Sequence, residues 1–423
     1  MVGMDTVVIV GASLAGAKAA ETLRAEGFTG RVVLVGEEPE LPYERPPLSK
    51  GFLLGRDPRD SGQVHDEQWY ADQRIELLLG RRATAVDAAA HTVTLADGQA
   101  VPYDRLLLAT GSRVRRLEVP GGENAGVRYL RTVADSERLK ADLERGAQVV
   151  VVGAGWIGLE VTAAAREHGC PVSVVETENL PLARILGDEV AAVYRDLHVA
   201  HGVDFHFGVG VREFGGLDGR VTDVVLEDGT ELPADLVVVG VGITPAVELA
   251  EAAGLDLDAD ARGIAVDERL RSSDPDIFAC GDVAAWRSGL LGRRIRVEHW
   301  ANALHGGPAA AKAILGGDDV YDPVPYFYSD QYDLGMEYSG HAARHGYDNL
   351  VVRGSLQARD GKAPEFVAFW VKDERVLAGM NANVWDVVDP IQDLVRAGYA
   401  GRRVDPRRLA DPDVPLTEVL GDG

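Results

Sequence analysis

The chain has 423 residues, 46% apolar and 26% charged. That is too long for one ordinary core and too apolar for a disordered polymer, so two or three folded domains are expected. The formal net charge of −24, from 43 Lys and Arg against 67 Asp and Glu, excludes nucleic acid as the main partner, because most faces repel backbone phosphates. Two cysteines exclude a disulfide framework. No apolar run approaches the roughly 18 residues of a membrane helix, and residues 1–9 carry no signal-peptide pattern, so a cytoplasmic protein that does not enter a membrane is expected.

Thr6–Val10 is a β-branched run that reads as a buried parallel strand. It enters the turn Gly11-Ala12-Ser13-Leu14-Ala15-Gly16, an Ala-rich helix that Gly27 stops, and a second strand, Arg31–Val35. Residues 75–95 alternate weakly and read as small strands of a sheet insertion. The opening order then returns about 140 residues later. Residues 148–152 form a strand and Gly153-Ala154-Gly155-Trp156-Ile157-Gly158 the turn; a helix runs to His168, and residues 171–175 form the next strand. Two such units predict two doubly wound α/β domains. Residues 237–241 read as a further buried strand that breaks at Gly242 and Pro245, and residues 276–279 as a short one ending in Gly281-Asp282. Beyond Tyr321 the glycine turns stop, and runs such as residues 365–371 predict an antiparallel sheet with helices.

A strand-to-helix turn of small residues lets a pyrophosphate sit on the helix N-terminus, where N–H groups and the helix dipole favour negative charge. The first turn offers Gly11 and Gly16, with Ser13 in place of the middle glycine; Glu37, 26 positions after Gly11, is placed to hold an adenosine ribose. The second turn has all three glycines, Gly153, Gly155 and Gly158, and Glu176 follows 23 positions after Gly153. An acid there accepts from the ribose hydroxyls of NAD and repels the extra phosphate of NADP, which favours NADH. Arg184, a few residues on, is the one feature that would instead reward that phosphate. Two dinucleotide sites imply one tightly held redox cofactor and one exchangeable one. Hydride transfer from a nicotinamide to a flavin is the simplest chemistry they support.

The order of these motifs resembles the FAD-dependent pyridine nucleotide oxidoreductases, and within them the ferredoxin reductases that serve cytochrome P450 and aromatic-ring dioxygenase systems. The resemblance covers essentially the whole chain. Its most specific segment is Leu41-Pro42-Tyr43-Glu44-Arg45-Pro46-Pro47-Leu48-Ser49-Lys50, joined by Ala109-Thr110-Gly111, Leu130-Arg131-Thr132, Gly240-Val241-Gly242, Cys280-Gly281-Asp282-Val283 and Tyr326-Phe327-Tyr328-Ser329-Asp330-Gln331. The resemblance implies two Rossmann-like three-layer domains and a C-terminal α+β domain. FAD would be held by residues 1–113 and 245–320, NADH by residues 114–244, with residues 321–423 forming the last domain. It places Gly11, Ser13, Ala15, Gly16 and Glu37 at the FAD adenosine and pyrophosphate. Arg45, Lys50, Arg131, Gly281 and Asp282 would reach the pyrophosphate, ribityl chain or ring, and Glu298, His299 and Trp300 would pass beside the flavin. Lys50 and Glu160 would sit where nicotinamide meets flavin, with Lys50 stabilising charge on the ring and Glu160 anchoring Lys50 and the nicotinamide.

Disulfide reductases of this architecture carry a redox cysteine pair in the segment corresponding to residues 41–55, which here contains no cysteine. Cys170 and Cys280 fall in different motifs and read as ordinary buried thiols, and the spacing of His198, His201 and His206 matches no metal site. Electrons must therefore leave for an external acceptor. The resemblance implies a [2Fe–2S] ferredoxin feeding a P450 or ring-hydroxylating dioxygenase; rubredoxin reduction, NADH oxidase-like activity and a slow nucleotide-binding role like that of apoptosis-inducing-factor relatives are the alternatives. Ferredoxins are usually acidic, so a local basic patch is expected, with Arg293, Arg294 and Arg296 as one candidate and Arg344, Arg402, Arg403, Arg407 and Arg408 as others. The family usually has tryptophan where this chain has Tyr328.

Overall fold

The computed structural model describes residues 4–342, 344 and 346–420, so residues 1–3 of the N-terminal reading lie outside the described residues. The chain divides into two compact units, Met1–Glu44, Gly62–Arg113 and Thr244–Pro325 in the first, and Arg45–Ser61, Val114–Ile243 and Tyr326–Gly423 in the second.

The first unit is built on a five-stranded parallel sheet. Its order is Ile277–Ala279, Arg105–Leu108, Thr6–Val10, Arg31–Val35, Ile75–Leu78. Its central strands are unbroken apolar runs because both faces are covered; Val7, Val8 and Ile9 are wholly buried. On one side the helix Leu14–Ala25 meets the helix Trp300–Ile314 so closely that a Cβ on Gly307 would lie 2.3 Å from the Ala15 carbonyl oxygen. The expectation for residues 75–95 is corrected here. Ile75–Leu78 is the edge strand of the parallel sheet, and only Ala83–Asp87, Thr92–Leu95 and Ala100–Pro102 form the antiparallel insertion. An edge strand is covered less completely than a central one, so its mixed Ile-Glu-Leu-Leu pattern resembles that of the insertion strands.

The second unit repeats the design. Its parallel sheet runs Asp204–Phe207, Val172–Glu176, Val149–Val152, Leu236–Val239, Val127–Arg128. In both sheets the strand that feeds the glycine turn lies where the strand order reverses, the place where open α/β sheets bind ligands. Chain from the end of the sequence adds an antiparallel sheet ordered Tyr326–Gln331, Leu334–Gly340, Arg375–Ala382, Phe366–Lys372, Asn349–Gly354. The helix Val388–Tyr399 covers it, with a Cβ on Gly398 only 2.1 Å from the Val376 carbonyl oxygen. Two Rossmann-like parallel sheets plus a C-terminal α+β domain is the expected architecture.

Candidate functional site

In the first turn, Gly11 has φ +121°, and a Cβ on it would stand 2.0 Å from the Ala109 carbonyl oxygen; a Cβ on Gly16 would stand 2.0 Å from the Gly11 oxygen. The turn therefore tolerates no side chain at either place. Ser13 is the N-cap of the following helix, but its hydroxyl bonds the Tyr43 carbonyl at 3.3 Å and does not cap; no acidic side chain lies in the first helical turn. Ala15 faces Gly281, whose added Cβ would come 3.4 Å from it, so the Gly281-Asp282 turn lies against the helix that follows the first glycine turn. Thr110 bonds the Ala246 carbonyl at 2.8 Å, and Gly111 has φ +66°. Glu37 is exposed, with Arg82 3.9 Å away. Arg296 pairs with Glu298 and donates to the Asp282 carbonyl at 3.2 Å. His299 starts the helix Trp300–Ile314 without a side-chain cap, and Trp300 Nε1 donates to Glu44 at 2.7 Å.

The second turn has the same construction. A Cβ on Gly153 would lie 2.6 Å from the Gly240 oxygen and one on Gly158 2.0 Å from the Gly153 oxygen, whereas one on Gly155 would meet nothing within 4 Å. Gly155 is the N-cap of the helix Trp156–Glu167, which also lacks a side-chain cap and a first-turn acid. By contrast, the helix Val133–Glu144 closes its N-terminus with a complete Thr132–Asp135 capping box. Ile157 on the first turn is 46% exposed, while Trp156 packs against Tyr194 and Phe327. Glu176 accepts from the Ala154 N–H at 2.8 Å and the Glu178 N–H at 2.9 Å, so it is fixed beside the turn. Arg184 pairs with Glu178 at 2.7 Å, and Gly242, φ +100°, accepts from the Arg115 N–H at 3.0 Å. The Arg45 guanidinium donates to the Arg131 carbonyl, bringing those two together.

Within the second unit Lys50 Nζ lies 2.8 Å from Glu160 Oε1, with Glu160 only 3% exposed. Pro46–Ser49 is a short 3-10 helix that delivers Lys50. Two further groups complete the carboxylate's shell: the Ser49 hydroxyl donates to Oε2 and the Ser329 hydroxyl to Oε1, the latter at 2.7 Å. Behind Ser329, Gln331 Nε2 donates to its oxygen at 3.1 Å, and the Gln331 carbonyl meets His198 Nε2 at 2.8 Å. Burial pushes His198 down to about 4, so its ring is neutral; it donates from Nε2 and leaves Nδ1 to face the Tyr332 hydroxyl at 3.3 Å. Lys50 also lies 5.4 Å from the centre of the Tyr328 ring. Ser329 and Gln331 are the inward face of Tyr326–Gln331, and Tyr326 and Tyr328 the other.

Sequence reasoning missed this shell. Its signal was two polar residues, Ser329 and Gln331, at alternate positions of a strand, with a histidine in the apolar stripe of the helix Ala183–Ala200. Of the three histidines near position 200, His201 stacks at 3.6 Å on Tyr332, the tyrosine that His198 also faces, and His206 pairs with Asp204 at 3.1 Å. No metal-binding group of His, Cys, Asp or Glu exists among the described residues. Both cysteines are buried and unbridged; burial pushes the Cys280 thiol up to about 12 and raises Cys170 as well. In the basic run of Arg293, Arg294 and Arg296, Arg293 is exposed. Arg294 is spent on the Val266 and Ala285 carbonyls and on Asp258, and Arg296 on the Ala261 and Asp282 carbonyls and Glu298.

The family model "Pyridine nucleotide-disulphide oxidoreductase" matches residues 5–307, and "Reductase C-terminal" matches residues 326–420. The chain belongs to the pyridine nucleotide-disulphide oxidoreductase family. The oxidoreductase is 41% identical to the ferredoxin–NAD(+) reductase component of an anthranilate 1,2-dioxygenase system from Burkholderia cepacia, over 98% of this chain and 99% of that one. It is 39% identical to putidaredoxin reductase of Pseudomonas putida, over 98% and 97% of the two chains. Among solved structures it is similar to a covalent putidaredoxin reductase–putidaredoxin complex, with a TM-score of 0.91, 39% identity and 98% coverage of both chains. It is also similar to the ferredoxin reductase for the CYP199A2 system of Rhodopseudomonas palustris, with a TM-score of 0.90, 39% identity and coverage of 99% and 100%.

The oxidoreductase's own residues fit the FAD and NAD that this family implies. Each glycine-turn helix starts without a side-chain cap, which leaves backbone N–H groups for a pyrophosphate. The space beyond Gly155 serves no internal packing, so glycine there keeps the backbone open to an incoming group. No helix among the described residues is long and apolar enough to cross a membrane.

Proposed function

We propose that the oxidoreductase is a cytoplasmic, FAD-dependent NADH:ferredoxin reductase whose [2Fe–2S] partner supplies a cytochrome P450 or a ring-hydroxylating dioxygenase. The observation that carries this reading lies in residues 41–55. Where disulfide-reducing relatives keep a dithiol, this chain has Lys50 paired to a buried Glu160, and both of its cysteines are buried with raised thiols. No internal dithiol can take the electrons, so they go to an outside acceptor. FAD, when bound, accepts a hydride from NADH and can release electrons singly, which suits an iron–sulfur acceptor.

The roles follow from the residues. Gly11, Ser13, Ala15, Gly16 and Glu37 bind the FAD adenosine and pyrophosphate, with Ala109, Thr110, Gly111, Gly281 and Asp282 also contributing to FAD binding. Arg45, Arg131, Glu298, His299 and Trp300 complete the FAD site. Gly153, Gly155, Trp156, Ile157, Gly158 and Gly242 receive NADH, and Glu176 accepts from its ribose hydroxyls. Lys50 holds positive charge where electron density accumulates, and Glu160 anchors the lysine and the nicotinamide.

The test is NADH oxidation by the FAD-loaded protein with [2Fe–2S] ferredoxins and rubredoxins at low and high salt. Fast reduction of a [2Fe–2S] partner is expected. Preference for rubredoxin or oxygen, or slow turnover with a long-lived charge-transfer band, would overturn the reading.

A further inference from the structure

Glu178 stands at the centre of an ion cluster that the hydride chemistry does not use. Its backbone N–H bonds the Glu176 carboxylate at 2.9 Å, which places it beside the acid assigned to the NADH ribose. Its own carboxylate takes Arg184 Nε at 2.7 Å on one oxygen and Arg344 Nη1 at 2.6 Å on the other. Arg344 is also 3.6 Å from Asp188. The two guanidinium hydrogen bonds, Arg184 first, hold Glu178 below the usual carboxylate range. Arg184 and Arg344 come from remote parts of the sequence, yet one carboxylate gathers both.

A 2′-phosphate on the ribose needs exactly what these arginines could otherwise give, planar donors and positive charge. Here the local balance is two cations, Arg184 and Arg344, against three anions, Glu176, Glu178 and Asp188. Such a cluster repels a phosphate dianion, and Arg184 Nε and Arg344 Nη1 are both turned onto Glu178.

We propose that Glu178 is a specificity-determining residue. By occupying Arg184 and Arg344 it denies them to the 2′-phosphate of NADPH, and so enforces selection of NADH alongside Glu176. This inference rests on the NADH reading above. It requires the loss of one charge at position 178 to turn the two arginines toward phosphate.

The experiment compares the wild-type FAD-loaded oxidoreductase with Glu178→Gln, which keeps the side-chain size and removes the charge. The ratio of kcat/KM for NADPH to that for NADH should rise about tenfold. In calorimetry, adenosine 2′,5′-bisphosphate should bind the variant about tenfold more tightly than the wild type, with little change for adenosine diphosphate. Adding Arg184→Ala to Glu178→Gln should remove most of both gains. Glu178→Ala must move in the same direction, so a folding defect in one variant leaves the other to decide. Unchanged selectivity and unchanged bisphosphate affinity in a folded variant would overturn the inference. A wild-type protein that fails to oxidise NADH would sink the proposed function instead, and the bisphosphate affinities would still decide the role of Glu178.

Discussion

At the scale of single residues, Glu160 explains why Lys50 is held so firmly. A carboxylate 3% exposed has lost its water, and it is replaced by one ammonium and two hydroxyls. Lys50→Ala should slow flavin reduction by NADH roughly 100-fold in stopped-flow measurements, because the positive charge is absent when electron density arrives. It should also destabilise the protein by about 3 kcal/mol, since an unpaired buried carboxylate remains. Lys50→Arg should recover most of the stability and only part of the rate; an unaltered rate in Lys50→Ala would sink the assignment. His198 makes a separate prediction. Its ring is kept neutral by burial down to about 4, whereas the unfolded chain takes a proton near 6.5. Its contribution is therefore complete above about pH 6.5 and is lost as pH falls towards 4. Between pH 7 and pH 5 the wild type should lose about 2 kcal/mol more than His198→Gln in denaturant unfolding. The pairing of Lys50 with Glu160 was implied by the family resemblance. The part of Ser329, Gln331 and His198 could not be read from the sequence, because 171 and 133 positions separate Gln331 from Glu160 and from His198, and no local pattern reports such a meeting.

At the scale of elements, the two glycine turns separate packing from binding. A Cβ on Gly158 would collide with backbone, the Gly153 oxygen at 2.0 Å, and backbone cannot swing aside. A Cβ on Gly155 would point into open space, at a residue with ordinary φ of −80°. Gly158→Ala should accordingly cost several kcal/mol, on the order of 3, and yield little folded protein. Gly155→Ala should melt within about 2 °C of the wild type, while KM for NADH rises about tenfold. Equal effects of the two substitutions on stability would contradict the division. The turns, their strands and their helices were all readable, since central parallel strands are unbroken apolar runs and small-residue turns are short-range signals. Ile75–Leu78 was not: edge or insertion is decided by whether Val32 to Val35 pair with it.

At the scale of the whole molecule, charge and route of electrons are the issues. From Tyr321 onward there are 11 basic and 17 acidic side chains, so only −6 of the −24 lies there. The Arg294 and Arg296 guanidinium groups are paired with Asp258 and Glu298, whereas Arg407 and Arg408 of the short helix Pro406–Ala410 are exposed, and they are the place to test for an acidic partner. Arg407→Glu with Arg408→Glu should slow ferredoxin reduction about tenfold at low salt, and NADH reduction of the flavin should be unaffected. A salt-independent rate equal to that of the wild type would remove this segment from docking.

The sequence alone determined the two dinucleotide turns, the family resemblance and the absence of a dithiol in residues 41–55. Each rests on residues close together in the chain, where spacing and backbone sterics are enough. Tertiary structure decided which charges are available. It closed three hydrogen-bonding groups around Glu160, spent Arg294 and Arg296 on carbonyls, and joined Arg184 and Arg344 on Glu178. A side chain's charge is written in the sequence, but its partner is fixed only when remote segments meet and water is excluded between them.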